Sequence, residues 1–281
     1  MGRNDLDGLG YRGARVLLTG GASGLGAATA QLLTDMGAQV HIADISEPAA
    51  PHASFTLLDL ADFDGVRAAC ADLRQLGPFD FLFPIAGIPP HTFGPLHCLV
   101  VNYAGTRLFV EETLSALRDG CTIGLIASTA GRNWQAHLAD HLEALAITTP
   151  EEVRAWYEAR PDKLRDGYSP SKELLIVWVQ QLAIALGQDR RIRVNAIAPC
   201  PIDTPFMAST AAHSGVDFHA NYPYPLLGRM PTAEEQAWTL LLLSSPLNAA
   251  VTGATLFSDQ GFAGGLLTGA LAPPSFYAKR T

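Results

Sequence analysis

Tyr168-Ser169-Pro170-Ser171-Lys172 sets a phenol and an ammonium four residues apart, on one face at the start of a predicted helix. An isolated phenol ionises near pH 10 and is a poor base at neutrality. A fixed positive charge beside it favours the phenolate and brings proton transfer towards the working range. Such a pair can take a proton from a hydroxyl or return one to a carbonyl oxygen, provided that a second group orients that oxygen. Ser128, in Ile126-Ala127-Ser128-Thr129-Ala130-Gly131, ends a predicted strand, and ligands of open α/β sheets bind beyond the C-terminal strand ends. Each signal alone has an ordinary explanation, a solvated helix face for the first and a helix cap for the second.

What joins them is upstream. Thr19-Gly20-Gly21-Ala22-Ser23-Gly24-Leu25-Gly26 follows the first predicted strand and opens the first predicted helix. Glycines there let the backbone approach a pyrophosphate, whose charge is favoured by the free N–H groups and dipole of the helix start. Asp44 ends the second predicted strand at the spacing of a carboxylate that accepts hydrogen bonds from the adenine ribose hydroxyls and repels a 2′-phosphate. No Lys or Arg stands in the glycine loop or at 45–51 to hold that phosphate, so NAD is expected rather than NADP. Tyr168 would then exchange a hydroxyl proton while hydride passes to or from the nicotinamide.

The elements that must position these groups alternate along the whole chain, with no internal repeat. Strands are predicted at 15–18, 39–43, 54–58, 79–85, 122–127, 192–197 and 255–258, and helices at 24–36, 62–76, 96–117, 169–186 and 233–243. The pattern is α/β: a Rossmann-type doubly wound parallel sheet of about seven strands with helices on both faces. One NAD-binding domain over 1–281 is expected. The alternation breaks at 132–167, a helical insertion with predicted helices at 134–146 and 150–159, the second started by Thr149 as N-cap, Pro150 and a capping box to Glu152. Residues 199–231, rich in Pro, Ser and His, read as a mobile substrate flap.

Composition narrows the function. Apolar residues make up 48% and charged residues 16%, as in a compact enzyme with buried strands. A formal charge of -8 disfavours phosphate-backbone binding, so no nucleic-acid partner is expected. No apolar run approaches the roughly 20 residues of a membrane span, and residues 1–12 carry no apolar leader segment. Cys70, Cys98, Cys121 and Cys200 lack paired spacing and read as free thiols of a cytoplasmic protein. His137 and His141 have a spacing that zinc ligands use. No matching acidic or Cys/His set stands nearby and the tyrosine chemistry needs no metal, so no metal is expected and both read as solvated or packing histidines. Ile88, Phe93, Trp134, Phe206, Met207 and Tyr222 are candidates for an apolar substrate wall.

At this point the chain resembles the short-chain dehydrogenase/reductase family. The resemblance is carried by the Thr19–Gly26 loop, Asp59, Ala86-Gly87, Asn102, Ser128, Tyr168 and Lys172. It continues through Asn195 in Arg193-Val194-Asn195-Ala196-Ile197-Ala198-Pro199, Thr204 in Ile202-Asp203-Thr204-Pro205, and Asp259-Gln260-Gly261. The resemblance implies a tetrad in which Tyr168 is the acid/base, Ser128 orients the substrate, Lys172 bonds the nicotinamide ribose and Asn102 holds a proton-relaying water. It further implies NAD contacts from Gly20, Ser23, Gly24, Leu25, Gly26, Asp44, Asp59, Leu60, Ala86, Gly87, Pro199, Ile202 and Thr204.

Departures are visible too. Pro84-Ile85-Ala86-Gly87 stands where members often read Asn-Asn-Ala-Gly, Cys200 replaces a glycine and narrows the nicotinamide pocket, and Ser128 and Tyr168 are 40 residues apart. That insertion, with Lys172-Glu173-Leu174-Leu175-Ile176-Val177-Trp178, is similar to the bacterial branch holding 3α-hydroxysteroid dehydrogenase/carbonyl reductase and coniferyl-alcohol dehydrogenase. The expected substrate is a hydrophobic cyclic or aromatic alcohol or its ketone or aldehyde, steroid-like or phenylpropanoid-like. A cis-dihydrodiol dehydrogenase and a non-catalytic NAD-binding regulatory protein are the rivals. Because the insertion falls where the family usually packs dimer helices, a homo-oligomer, dimer or tetramer, is expected to associate through 233–258.

Overall fold

The computed structural model describes residues 8–274; the two ends of the expected 1–281 domain, including residues 1–7 of the N-terminal stretch, lie outside the described residues. Val16, Leu17 and Leu18 of strand β1 (Arg15–Thr19) are fully buried, and a strand apolar on both sides can only sit between two layers. It pairs in parallel with β2 (Gln39–Asp44) on one side and β4 (Phe79–Pro84) on the other. With β3 (Ser54–Leu57), β5 (Leu117–Ile126), β6 (Arg193–Ile197) and β7 (Thr255–Leu256) they make a parallel sheet in the order β3-β2-β1-β4-β5-β6-β7. The order reverses between β1 and β4, which opens a crevice at the C-terminal strand ends.

Helix α1 (Gly24–Asp35) covers one face of the sheet, and α2 (Phe63–Leu76) covers the other. The predicted helix over 96–117 is instead a composite: α3 (Pro95–Leu99), a π-helical stretch at Val100–Gly105 and α4 (Thr106–Thr113). Within it, the Thr106 hydroxyl donates to the Val101 carbonyl at 3.0 Å, and single π turns of this kind recur at functional sites. β5 begins at Leu117 rather than 122, because Leu117 pairs with Phe79 before the register shifts.

The insertion is helical, as expected, but shorter-stepped. A 3-10 turn at Trp134–His137 leads into α5 (Leu138–Leu145), followed by α6 (Pro150–Glu158) and a one-turn α7 (Pro161–Leu164) that the sequence pattern missed. Thr149 does cap α6, accepting from the Glu152 N–H at 3.3 Å, while the Glu152 carboxylate takes the Thr149 hydroxyl rather than its backbone N–H. Arg107 locks the insertion onto the core by donating to the Ile147 carbonyl at 2.9 Å. Helix α8 (Tyr168–Arg190) is then buried along most of its first half between sheet and insertion. Gly167 before it has φ +69, and a Cβ there would stand 1.9 Å from the Pro95 carbonyl oxygen, so glycine alone lets α8 start against α3.

Residues 199–231 contain helices α9 (Pro205–Ser214) and α10 (Phe218–Asn221). The proline-rich composition hid both. α11 (Ala233–Ser244), started by a capping box between Thr232 and Glu235, packs beside α1, and α12 (Phe262–Leu267) follows β7. Among the described residues no helix is long and apolar enough to cross a membrane.

Candidate active site

A cavity of about 1270 Å³ opens at the C-terminal ends of the strands. That exceeds the roughly 300–1,000 Å³ of a single small-ligand pocket and suits a dinucleotide with a second molecule beside it. Its wall contains Gly20, Ser23, Gly24, Leu25, Gly26, Asp44, Asp59, Leu60, Ala86, Gly87, Ser128, Tyr168, Lys172, Pro199, Ile202 and Thr204. Asn102 is the exception among the anticipated site residues. It is 1% exposed, its Oδ1 accepts from the Ile88 N–H at 2.8 Å and its Nδ2 donates to the Ile88 carbonyl at 3.0 Å. From the π stretch it therefore fixes the loop after β4.

The nucleotide end of the cavity fits the residues that line it. A Cβ on Gly26 would lie 1.8 Å from the Gly20 carbonyl oxygen, so the loop and α1 touch only because position 26 is glycine. Ser23 makes no side-chain cap to α1, and there is no acidic residue in the first turn, so the N–H groups there have no intrahelical acceptor. They face a wall of the cavity and suit an anionic pyrophosphate. Asp44 steadies the loop by accepting from the Ala22 N–H at 2.9 Å, and Asp59 accepts from the Ala61 N–H at 2.8 Å.

At the other end, Lys172 reaches across from α8 to donate to the Ile126 carbonyl at 2.8 Å, at the tip of β5. The same Nζ is 5.6 Å from the centre of the Tyr168 ring. Burial pushes the Lys172 ammonium from its ordinary 10.5 down to about 8. Ser128, two residues past Ile126, accepts from the Ala130 N–H at 3.1 Å, which leaves its hydroxyl hydrogen for a ligand oxygen. Phe206 of α9 packs over Tyr168 with ring centres 5.9 Å apart, so the flap covers the phenol with an apolar ring. His91 and His213 stack at 4.4 Å and join the loop after β4 to that same helix.

Of the proposed apolar wall, Ile88, Phe93, Phe206 and Met207 line the cavity, with Phe218 beside them. Two are corrected. Trp134 packs on the main core, and Tyr222 is 3% exposed in a separate cluster with Cys200, Tyr224, Met230 and Phe262, where it stacks 4.4 Å from Phe262. The reading of His137 and His141 as lacking an acidic partner is also corrected: Glu173, far along the sequence, lies 3.1 Å from His137 Nδ1 and 2.9 Å from His141 Nε2. Sequence reasoning missed Arg165 and Glu173 as cavity residues, since only the fold brings the insertion against α8.

Comparison with known proteins agrees with this geometry. A family model described as "short chain dehydrogenase" matches residues 14–139, and one described as "Enoyl-(Acyl carrier protein) reductase" matches residues 158–263. The chain is 34% identical over 193 residues to the coniferyl-alcohol dehydrogenase of Pseudomonas sp. (strain HR199 / DSM 7063), covering 69% of this chain and 74% of that one. It is 28% identical over 253 residues to the 3-alpha-hydroxysteroid dehydrogenase/carbonyl reductase of Comamonas testosteroni, covering 88% of this chain and 95% of the relative. The fold matches a 3-alpha-hydroxysteroid dehydrogenase of Pseudomonas sp. B-0831 complexed with NADH, with a TM-score of 0.76 at 23% identity over 92% of this chain and 100% of that one. The chain belongs to the short-chain dehydrogenase family and is an oxidoreductase of that family.

The buried lysine makes stability depend on pH. Between about 8 and 10.5 the unfolded chain holds more protons on Lys172 than the folded protein does, so this group's contribution to stability rises with pH through that window. Lys172→Met should flatten the rise, read from urea midpoints on either side of the window. An equal rise in both proteins counts against a depressed Lys172.

Proposed function

We propose that this protein is a single-domain, NAD-dependent alcohol dehydrogenase or ketone reductase, with Tyr168 exchanging the proton. The observation that carries the reading is the meeting of Tyr168, Lys172 and Ser128 in one cavity whose far end is the glycine loop and Asp44. NAD, when bound, supplies the hydride acceptor or donor. The chain's own part is proton transfer and orientation. Ser128 donates a hydrogen bond to the substrate oxygen, and Tyr168 takes the hydroxyl proton in oxidation or returns it in reduction. Lys172 supplies the positive charge that favours the phenolate and would hold the nicotinamide ribose, Pro199, Ile202 and Thr204 would border the nicotinamide, and Asn102 would steady the relay behind Lys172 through the loop it holds. NAD is favoured over NADP because Asp44 would repel a 2′-phosphate.

The substrate is a hydrophobic cyclic or aromatic alcohol, or its carbonyl partner. Ile88, Phe93, Phe206, Met207 and Phe218 supply an apolar wall, and the relatives' own substrates, a coniferyl alcohol and a hydroxysteroid, are of this kind. A cytoplasmic setting belongs to the same reading, supported by four buried, unpaired thiols. Turnover of steroid, benzylic, cinnamyl and dihydrodiol alcohols with NAD and with NADP, followed by nucleotide absorbance, tests it. NAD should give the higher kcat/KM. Tyr168→Phe should keep NADH binding while losing about 10²- to 10⁴-fold in turnover, and an unimpaired variant would defeat the proposal.

Association through residues 233–258 completes the reading. It is supported by the exposure of Leu242 (50%) and Leu256 (46%) on α11 and β7, and by the cover that α5 and α6 give to the opposite helices. Leu242→Asp with Leu256→Asp should shift sedimentation to the monomer. A wild-type monomer, or an assembly indifferent to these changes, contradicts it.

A further inference from the structure

Just before Tyr168, Arg165 has φ +47 and ψ −123. That is the geometry of the first central position of a type II′ turn, where glycine is the usual occupant, and the Gly167 N–H closes the turn on the Leu164 carbonyl at 2.8 Å. An arginine is strained there, and a strained residue persists only where its surroundings hold it.

What holds it is Glu173. This carboxylate sits on α8 next to Lys172, is 1% exposed, and accepts from both terminal nitrogens of Arg165, from Nη1 at 3.3 Å and from Nη2 more closely. Helix α5 contributes His141, whose Nε2 is 2.9 Å from Glu173 Oε2, and His137 lies 3.1 Å from the same oxygen. Burial alone would raise the Glu173 carboxyl, but the hydrogen bonds from His141 and Arg165 and the Arg165 charge outweigh it and keep the group ionised. A buried carboxylate with a guanidinium in fork geometry is a strong, directional tether. Both Arg165 and Glu173 reach the cavity wall.

We propose that Glu173 is a positioning residue: from the junction of the insertion with α8 it holds Arg165 in the strained turn, and that turn sets the first residue of α8, Tyr168, against the substrate oxygen. This gives the insertion a task, since α5 supplies His141, whose imidazole hydrogen-bonds the carboxylate. A divalent cation is the rival occupant, because His137, His141 and Glu173 present ligand atoms within 4.8 Å of one another. Arg165 argues against it by already donating to the oxygen that both imidazoles face.

The proposal rests on Tyr168 being the proton-transfer group, and the test separates the two. Glycine takes the turn geometry without a tether, whereas alanine does not. Arg165→Ala and Glu173→Gln should therefore lose roughly 10- to 100-fold in kcat, while Arg165→Gly loses clearly less than Arg165→Ala and adding Arg165→Gly to Glu173→Gln restores part of the loss. Phenolate absorbance, taken as the difference from a Tyr168→Phe counterpart of each protein, should appear at higher pH in the two impaired variants than in wild type. That readout needs no substrate, so it stands even if no alcohol in a panel is turned over. Where Glu173→Gln does not fold, the alanine and glycine pair at 165 decides alone. An Arg165→Gly variant as impaired as Arg165→Ala, an unchanged phenolate titration, or a loss of wild-type kcat on chelation with recovery on adding zinc would overturn the proposal.

Discussion

A lysine ammonium almost out of contact with water, tethered to the end of one strand and set beside a phenol ring, is the constraint around which this molecule is arranged. Burying such a charge is costly, and the shift of Lys172 to about 8 expresses that cost. Part of it is offset by the hydrogen bond to the Ile126 carbonyl, which also fixes the distance between the tip of β5 and the first turn of α8. Ser128 lies two residues past that strand tip and Tyr168 opens α8, so one bond aligns both groups that would touch a substrate oxygen.

The rest of the fold keeps that alignment. The sheet reverses order between β1 and β4, which places the glycine loop, Asp44 and the loop held by Asn102 around the same crevice. On the far side the insertion replaces solvent along α8 and reaches the site through Glu173 and Arg165. Helix α9 lies over the site, with Phe206 against Tyr168. The glycine loop, α8, the insertion and α9 thus meet within one cavity.

Much of this was legible in the residues. Buried strands announce themselves as apolar runs, and the glycine loop, Ser128, Tyr168 and Lys172, singled out by residue type and local sequence setting, do line one cavity. What stayed hidden is non-local. Nothing near His137 and His141 signals Glu173, because the contact spans 32 residues and exists only once α5 lies on α8. Asn102 reads as a helix residue, and its π-helical setting follows from tertiary packing rather than propensity. Helices α9 and α10 were concealed by the proline- and serine-rich composition around them, although Pro205 in fact opens α9 and the Asp217 side chain caps α10. Trp134 and Tyr222 are aromatic and sit near the right loops, yet their side chains fill cores, a choice that composition does not encode.

The most direct measurement is a crystal structure of the protein grown with NADH. The account predicts a nicotinamide ribose within hydrogen-bonding reach, about 2.6–3.2 Å, of Lys172 Nζ and the Tyr168 hydroxyl, with the pyrophosphate on the start of α1. A nucleotide seated away from the glycine loop, or a Lys172 side chain turned from both ribose and phenol, would contradict it.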